Sequence, residues 1–183
     1  MEGLPKKNTE KRYLYHRVPD DMKGNIIYPL NELKNIHPDL YLSKAIKYKG
    51  REDVMDNLIK SLEAKWNDVI FMSAVDPKEL KEELIKAGMK PKEFKFFQID
   101  PTKLDLQKTK VFLFKENNRK IFDDEFTDFK LEDLEKYSII PEKSKNYFKE
   151  SFAKNGNALM FAFIPHILHK GSIDISDFPV ITV

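Results

Sequence analysis

The sequence predicts a single α+β domain in which a mixed, mostly antiparallel split sheet is flanked by helices. The chain of 183 residues has the length of one domain. Short apolar runs of strand length occur along the chain without regular alternation with helices. With 41% hydrophobic and 34% charged residues, the composition is that of a globular protein. We expect a flexible basic N-terminus over 1–12 and the domain over 13–183.

The predicted strands are short apolar runs that end at turn-forming residues. Pro19 closes the first strand, and Asp100-Pro101 closes a later one. Residues 119–130 alternate between polar and aromatic and are predicted to be mostly loop, and Pro165 with Gly171 predicts a loop or single turn between them. Strands are expected at 13–18, 68–73, 94–99, 110–114, 158–164, 172–175 and 179–183.

Helices are predicted from apolar stripes and from capping residues. The clearest is 76–88, where Asp76 suits the N-cap, Pro77 the first helical position and Gly88 the C-terminal cap. Residues 51–65 carry the i, i+3, i+4, i+7 stripe of an amphipathic helix. Further helices are expected after Pro29, after Pro38, and at 131–137 and 143–154.

The composition excludes several classes of function. There are 32 basic and 30 acidic residues, so the chain lacks the overall positive charge of many nucleic-acid-binding proteins. It has no cysteine, which excludes disulfides and thiolate chemistry. The first residues are charged and no apolar run approaches the roughly 18 residues of a membrane span. We therefore expect a protein with no membrane partner that is cytoplasmic, or else is delivered into another cell by a route that needs no N-terminal signal.

His16 is the first candidate for chemistry. It lies at the end of a predicted strand, between Tyr15 and Arg17, where an imidazole can hydrogen-bond a ligand hydroxyl and titrate near neutral pH. The alternative is a histidine that packs against a neighbouring strand. Arg17 and Arg51 can clamp a phosphate or carboxylate through their planar guanidinium groups. The alternative for both arginines is an ordinary surface ion pair.

A second group of candidates surrounds the strand predicted at 68–73. Trp66 is the one tryptophan of the chain and can stack on a nucleobase or nicotinamide ring, oriented by Asn67 or Asp68. The alternative is a core tryptophan followed by an Asn-Asp turn. Ser73 follows the apolar run and either faces a cleft or simply ends the strand.

The remaining motifs indicate little chemistry. His166 and His169 are three residues apart, but no third ligand lies at metal-binding spacing, so we expect no metal site. The chain has six glycines and no glycine-rich phosphate loop or dinucleotide fingerprint.

Several of these segments together resemble the ADP-ribosyltransferase-like superfamily, and most closely its RNA 2′-phosphotransferase and DNA-modifying toxin branches. Those proteins open with a strand carrying an aromatic–histidine pair, here Tyr15-His16. An apolar strand ending in a small hydroxyl residue follows, here ending at Ser73. The phrase Ile99-Asp100-Pro101 and the closing isoleucine-rich strands after Ile164-Pro165 extend the resemblance over about residues 13–182.

The resemblance implies NAD as cofactor and specific roles for several residues. His16 would hold the ribose of NAD or a related nucleotide, Arg17 would contact phosphate, and Ser73 would lie beside the nicotinamide. Many members also use a glutamate at the start of a late strand. At the matching place this chain has Asn157-Ala158, and the nearest upstream glutamate, Glu150, is expected on a helix.

Three functional hypotheses follow. The first is an ADP-ribosyltransferase-like protein that binds NAD and modifies a protein or nucleic-acid acceptor, with Tyr15 or Trp66 stacking on a ring. The second is a non-catalytic interaction domain that binds protein or single-stranded nucleic acid through lysines and exposed aromatics near Phe94 and Phe96. The third is a small hydrolase or nuclease that uses Asp68 with His16.

Overall fold

Two antiparallel sheets form the framework of the protein. In the computed structural model, which describes residues 11–117 and 120–183, one sheet has three strands and the other has four. The strands are β1 Leu14–Arg17, β2 Ile26–Ile27, β3 Leu58–Ile59, β4 Ala64–Lys65, β5 Val69–Met72, β6 Lys95–Ile99, β7 Thr109–Phe112, β8 Phe126–Asp128, β9 His166–Lys170, β10 Ile173–Asp174 and β11 Val180–Thr182. The helices are α1 Leu30–Ile36, α2 Pro38–Ala45, α3 Pro77–Ala87, α4 Leu134–Tyr137 and α5 Glu142–Asn155.

The strand order explains how the two sheets are separated. The three-stranded sheet has the order β1-β6-β11, and the four-stranded sheet has the order β5-β9-β7-β8. Strands β2 and β10 form a separate pair, as do β3 and β4, and all of these pairings are antiparallel. The predicted α+β class is confirmed. Residues 1–10 of the predicted N-terminal segment lie outside the described residues.

The main core lies between the two sheets, because alternate side chains of each strand point to the same face. Leu14 and Ile99 of the three-stranded sheet pack with Met72, Val111 and Ile167 of the four-stranded sheet. Each of these five side chains is at most 2% exposed. Burial of side chains of this size stabilises the fold by about 1.5–3 kcal/mol each, before the entropy of ordering is subtracted.

Helix α3 forms where local signals predicted a helix over 76–88. The carboxylate of Asp76 accepts a hydrogen bond from the backbone N–H of Lys78 at 2.7 Å, and Pro77 begins the helix. Gly88 ends it with a φ of 123°, a conformation that suits glycine. Leu80 and Leu84 are buried in a cluster that includes Phe148 of α5.

The helix predicted over 51–65 is wrong. This stretch forms a 3-10 turn at Glu52–Asp56 and then the antiparallel pair β3–β4, whose two strands are joined by a second 3-10 turn at Lys60–Leu62. Glu63 has a φ of 47°, and this left-handed residue reverses the chain between the two strands. The apolar stripe is still used, because the side chains of Ile59 and Leu62 enter a buried cluster.

The end of the chain also differs from the prediction. Residues 158–164, predicted as a strand, form turns, and Phe163 has a φ of 60°. The next residues, predicted as a loop or single turn, form β9, which lies between β5 and β7. Pro165 immediately precedes this strand, so its missing N–H does not interrupt the sheet. Within the predicted loop 119–130, β8 forms the edge of the same sheet.

None of the helices in the described ranges, 11–117 and 120–183, is both long enough and apolar enough to cross a membrane.

Candidate functional site

The candidate site lies where the two sheets separate. Tyr15, on the edge strand β1, exchanges backbone hydrogen bonds of 2.8 and 2.9 Å with Ser73, just after the edge strand β5. In a regular antiparallel ladder, the next hydrogen-bonded pair would be Arg17 and Phe71. The bridge is isolated, however, and the side chain of His16 binds the Phe71 carbonyl instead.

A cavity of about 500 Å³ opens beside this point. Its volume is within the roughly 300–1,000 Å³ range of small-molecule sites. The walls come from β1 and the turn that follows it, from α1 and α2, and from the segment leading into β5. Polar, charged and aromatic residues of the wall include His16, Arg17, Asp20, Asp21, Lys44, Lys47, Tyr48, Trp66, Asn67 and Phe71.

His16 is held as a neutral imidazole in a defined tautomer. Its Nδ1 lies 2.7 Å from the Phe71 carbonyl oxygen, so Nδ1–H must donate. Burial lowers the pKa of His16, and the positive charge of Lys47 lowers it further, against the opposing effect of the Phe71 hydrogen bond. With Nδ1 protonated in the neutral ring, Nε2 is a hydrogen-bond acceptor. The wall therefore presents an acceptor suited to a hydroxyl group.

The segment Trp66–Asp68 is a 3-10 turn that enters β5, and Asp68 holds it in place. One carboxylate oxygen of Asp68 accepts from the Asn31 amide of α1 at 2.6 Å, and the other accepts from the backbone N–H of Lys65 at 2.7 Å. Asp68 is therefore engaged in fixing the turn, and its hydrogen bonds support neither the hydrolase hypothesis nor direct contact with a ligand.

Trp66 forms an aromatic part of the wall. Its ring centroid lies 4.8 Å from that of Phe71 and 5.3 Å from that of Phe112, with tilted and edge-on geometry. Such aromatic pairs are each worth about 0.5–1.5 kcal/mol beyond their burial. Tyr48, which is 9% exposed, lines the same cavity. The ring packs against the core, and Trp66 also lines the cavity, so its stacking on a ligand ring stays a prediction.

Asn67 stands next to Trp66 in the wall and is 5% exposed. Among residues 11–117 and 120–183, its side-chain amide has no hydrogen-bond partner. The residue is buried as a whole, but its amide nitrogen and oxygen are not among the fully buried side-chain atoms that lack a partner in the described residues, so they keep access to solvent. The fold therefore holds a donor and an acceptor at the cavity wall that no described protein group satisfies.

Among residues 11–117 and 120–183, Lys47 is the lysine of the cavity wall that has no acidic partner. Lys44 pairs with Asp21 at 2.5 Å, and Lys23 pairs with Asp39 at 2.6 Å. Lys47 forms no ion pair within the part of the chain that the structure describes. Desolvation lowers the pKa of Lys47, and nearby cations lower it further. The ammonium of Lys47 is thus available to an anion.

Some residues predicted for the site lie elsewhere. The Tyr15 ring points to the opposite face of β1, into a cluster with Phe94 and Phe96. Arg17 lines the cavity, but its guanidinium lies 5.3 Å from the Phe94 ring centroid, on the same face as Tyr15. Ser73 is 4% exposed, and its hydroxyl accepts a hydrogen bond from the backbone N–H of Val75.

Arg51 also lies outside the cavity wall. Its guanidinium donates weakly to the carbonyl of Lys47 at 3.4 Å and lies 5.6 Å from the ring centroid of Tyr48. The structure therefore brings together His16, Arg17, Trp66 and Asn67 of the predicted set, although the guanidinium of Arg17 stacks on Phe94.

Tyr15 lines a second cavity of about 530 Å³ on the other face. Several acidic side chains line this cavity, including Glu79, Glu82 and Glu83. Carboxylates repel the phosphates of a nucleotide, so the cavity beside His16 is the better candidate for a nucleotide.

The two late histidines do not form a metal site. They lie on opposite faces of β9, because side chains three residues apart on a strand point in opposite directions. His166 donates from Nδ1 to the Ile164 carbonyl, and His169 contacts the hydroxyl of Thr109 at 2.9 Å. The described residues contain no cluster of three or more metal-binding side chains.

Two other expectations concern surfaces outside the cavity. Phe94 and Phe96 are 3% and 1% exposed, so they offer no open aromatic surface for stacking of nucleobases. Glu150 lies on α5 as expected, is exposed, and is not part of the cavity wall.

The sequence reasoning missed Lys47 and Tyr48 as residues of the site. Both lie at the end of the α2 segment, far along the chain from His16 and Trp66. The one local signal was an amphipathic segment that ends at Gly50, and this signal does not indicate what its polar side faces.

Comparison of the chain with protein-family models, with curated proteins and with solved structures finds no match.

Proposed function

We propose that the cavity beside His16 binds NAD or a related nucleotide and that the protein transfers ADP-ribose to a macromolecular acceptor. The observation that supports this most directly is the neutral imidazole of His16, whose tautomer is set by the Phe71 carbonyl at 2.7 Å. His16 lines a cavity of about 500 Å³, and its free ring nitrogen is a hydrogen-bond acceptor. A ribose hydroxyl is a donor that such a nitrogen binds.

The other wall residues suit the remaining parts of a nucleotide. The ring of Trp66 and the phenol of Tyr48 offer aromatic surface to a base or a nicotinamide ring. The unpaired ammonium of Lys47 offers a charge-assisted hydrogen bond to a phosphate oxygen. Arg17 is not needed for this role, because its guanidinium stacks on the far face of β1.

In the proposed reaction, the bond between the ribose C1′ and the nicotinamide nitrogen breaks, and the bonding electrons leave with nicotinamide. The acceptor nucleophile forms a new bond to C1′ and loses its proton. Electrostatic complementarity to the oxocarbenium-like ribose would lower the barrier. Two carboxylates line the cavity, and Asp21 is already paired with Lys44. Asp20 is therefore the carboxylate that we assign to receive that proton.

The test is calorimetric titration of NAD into the wild-type protein and into His16→Ala. We expect the variant to lose at least tenfold in affinity, because the substitution removes the ribose acceptor. Nicotinamide release in the presence of candidate protein and nucleic-acid acceptors then tests the transfer step.

Two controls keep the result interpretable. Hydrogen exchange at the amides of Tyr15 and Ser73 shows whether His16→Ala retains the bridge between the sheets. Lys49→Gln, a change at an exposed lysine outside the cavity wall, should bind NAD as the wild type does. Wild-type affinity in a folded His16→Ala protein would move the site elsewhere. Failure of the wild type to bind NAD would favour the interaction-domain hypothesis.

A further inference from the structure

We infer that Asn67 determines ligand specificity by pairing with an adjacent hydrogen-bond donor and acceptor on the ligand, as found on a primary carboxamide or on the amino edge of adenine. This inference rests on the proposed function, because it concerns the same cavity. It adds a requirement on the ligand that nucleotide binding alone does not impose.

The hydrogen-bonding capacity of Asn67 carries the argument. An asparagine amide has one carbonyl acceptor and one NH₂ donor side by side in a plane. In Asn67 this group is 5% exposed and lines the cavity, and no residue within 11–117 or 120–183 satisfies it. A ligand that presents both a donor and an acceptor satisfies the whole amide. A ligand that presents two acceptors satisfies the NH₂ but places its second acceptor against the Asn67 carbonyl oxygen, and these two acceptors repel each other.

The position of Asn67 is fixed before a ligand arrives. Its turn is tied to α1 by the hydrogen bond from Asn31 to Asp68. The same turn is connected to the segment before β3 by a hydrogen bond of 2.8 Å from the backbone N–H of Trp66 to the backbone carbonyl of Asn57. A group held on both sides loses little freedom when it binds, so discrimination by hydrogen bonding is strong.

The ring of Trp66, the residue before Asn67, indicates which ligand group would contact the Asn67 amide. An aromatic ring at the wall favours a flat ring as its partner. A planar amide beside it then meets the edge of that ring. Two groups of a nicotinamide adenine dinucleotide fit this description, namely the carboxamide of nicotinamide and the N6/N7 edge of adenine.

The experiment compares three dinucleotides in calorimetric titrations of the full chain. NAD keeps both edges. Nicotinic acid adenine dinucleotide replaces the carboxamide by a carboxylate, and nicotinamide hypoxanthine dinucleotide replaces the adenine amino group by an oxygen. We expect the wild type to bind one of the two analogues at least tenfold more weakly than NAD. The analogue that is penalised identifies the end of the dinucleotide that Asn67 contacts.

Asn67→Leu provides the decisive comparison, because leucine is similar in size and has no polar atom. We expect this variant to bind NAD and the penalised analogue within about threefold of each other. Its thermal unfolding temperature should stay close to that of the wild type, since the Asn67 amide forms no hydrogen bond with another described residue. Asn146→Leu, a change at an exposed asparagine of α5, should keep the wild-type preference.

The outcomes separate the inference from the proposed function. Binding of all three dinucleotides with equal affinity by the wild type overturns the inference and leaves the nucleotide site in place. A preference that survives in Asn67→Leu also overturns it. If the wild type binds none of the three, the proposed function fails, and the inference fails with it.

Discussion

His16 and His166 share one local chemistry in two different surroundings. Each donates from Nδ1 to a backbone carbonyl at 2.7 Å, and burial lowers the pKa of each ring. His16 stands in the wall of a cavity beside Lys47. His166 is surrounded by the rings of Phe71, Phe112, Phe114 and Phe161, with centroids 5.4–6.3 Å from its own.

Phe71 links the two surroundings, because its carbonyl holds His16 while its ring contacts His166. The comparison shows that a neutral, oriented histidine does not by itself indicate a functional site. The access given by the cavity and the nearby unpaired ammonium distinguish His16. His166 has the same hydrogen bond but belongs to the packing of the domain.

The largest expected effect is on the pH dependence of stability. Burial lowers the pKa of His166 from 6.5 to about 4, so the unfolded chain binds its proton more readily than the folded one. The contribution of neutral His166 to the free energy of unfolding is fully present above pH 6.5. It decreases by about 3 kcal/mol in total as the pH falls from 6.5 through about 4. His16 and His169 contribute with the same sign. Urea unfolding at a series of pH values measures the loss.

His166→Leu isolates the contribution of this one ring. The variant should lose less stability than the wild type between pH 6.5 and 4. An unchanged slope would mean that His166 is not the group that resists protonation.

The next expected effect separates the two histidines by their contribution to packing. Replacement of His166 by alanine leaves a space between four aromatic rings and should lower the free energy of unfolding by about 3 kcal/mol. Replacement of His16 by alanine removes one hydrogen bond at a cavity wall and should cost about 1 kcal/mol. Denaturant unfolding at pH 7.5 measures both losses. Equal losses would mean that His166 contributes no more to packing than His16 does.

The smallest expected effect concerns the charge that His16 senses and His166 does not. Lys47 lowers the pKa of His16 through its positive charge, whereas the pKa of His166 is lowered by burial, against the opposing effect of its hydrogen bond to the Ile164 carbonyl. Lys47→Gln should therefore raise the pKa of His16 and leave that of His166 unchanged. NMR titration of the ring protons follows both groups in one sample. Lys49→Gln is the matched control and should move neither pKa.

Local signals in the sequence were sufficient for some elements. Helix α3 was predicted because Asp76, Pro77 and Gly88 act within their own turn. Strand β9 was missed because Ile167 and Leu168 become buried only when β5 and β7 lie on either side of them. The apolar stripe in 51–65 led to a wrong helix prediction, because a 3-10 turn and a strand pair bury Ile59 and Leu62 at the same spacing as a helix would.

In the candidate site too, some residues could be predicted from local sequence and others depend on tertiary contacts. His16 was found because its position at the end of a strand is visible in the sequence. The convergence of Lys47 and Asn67 on His16 depends on how the α2 segment and the turn before β5 pack around β1. That arrangement results from tertiary contacts, and no local pattern encodes it. Side chains alternate between the two faces of β1, so the Tyr15 ring points away from the face that carries His16. Which of the two faces borders the cavity is known only from the folded structure.

The hydrogen bond from His16 to the Phe71 carbonyl has a consequence for mutational tolerance. Because the acceptor is a main-chain oxygen, every amino acid at position 71 supplies it. Substitutions at position 71 alter the packing around His166 while the orientation of His16 is retained. Position 16 has no such freedom, since its imidazole is the donor. Random mutagenesis with selection for function would therefore recover many residues at position 71 and few at position 16.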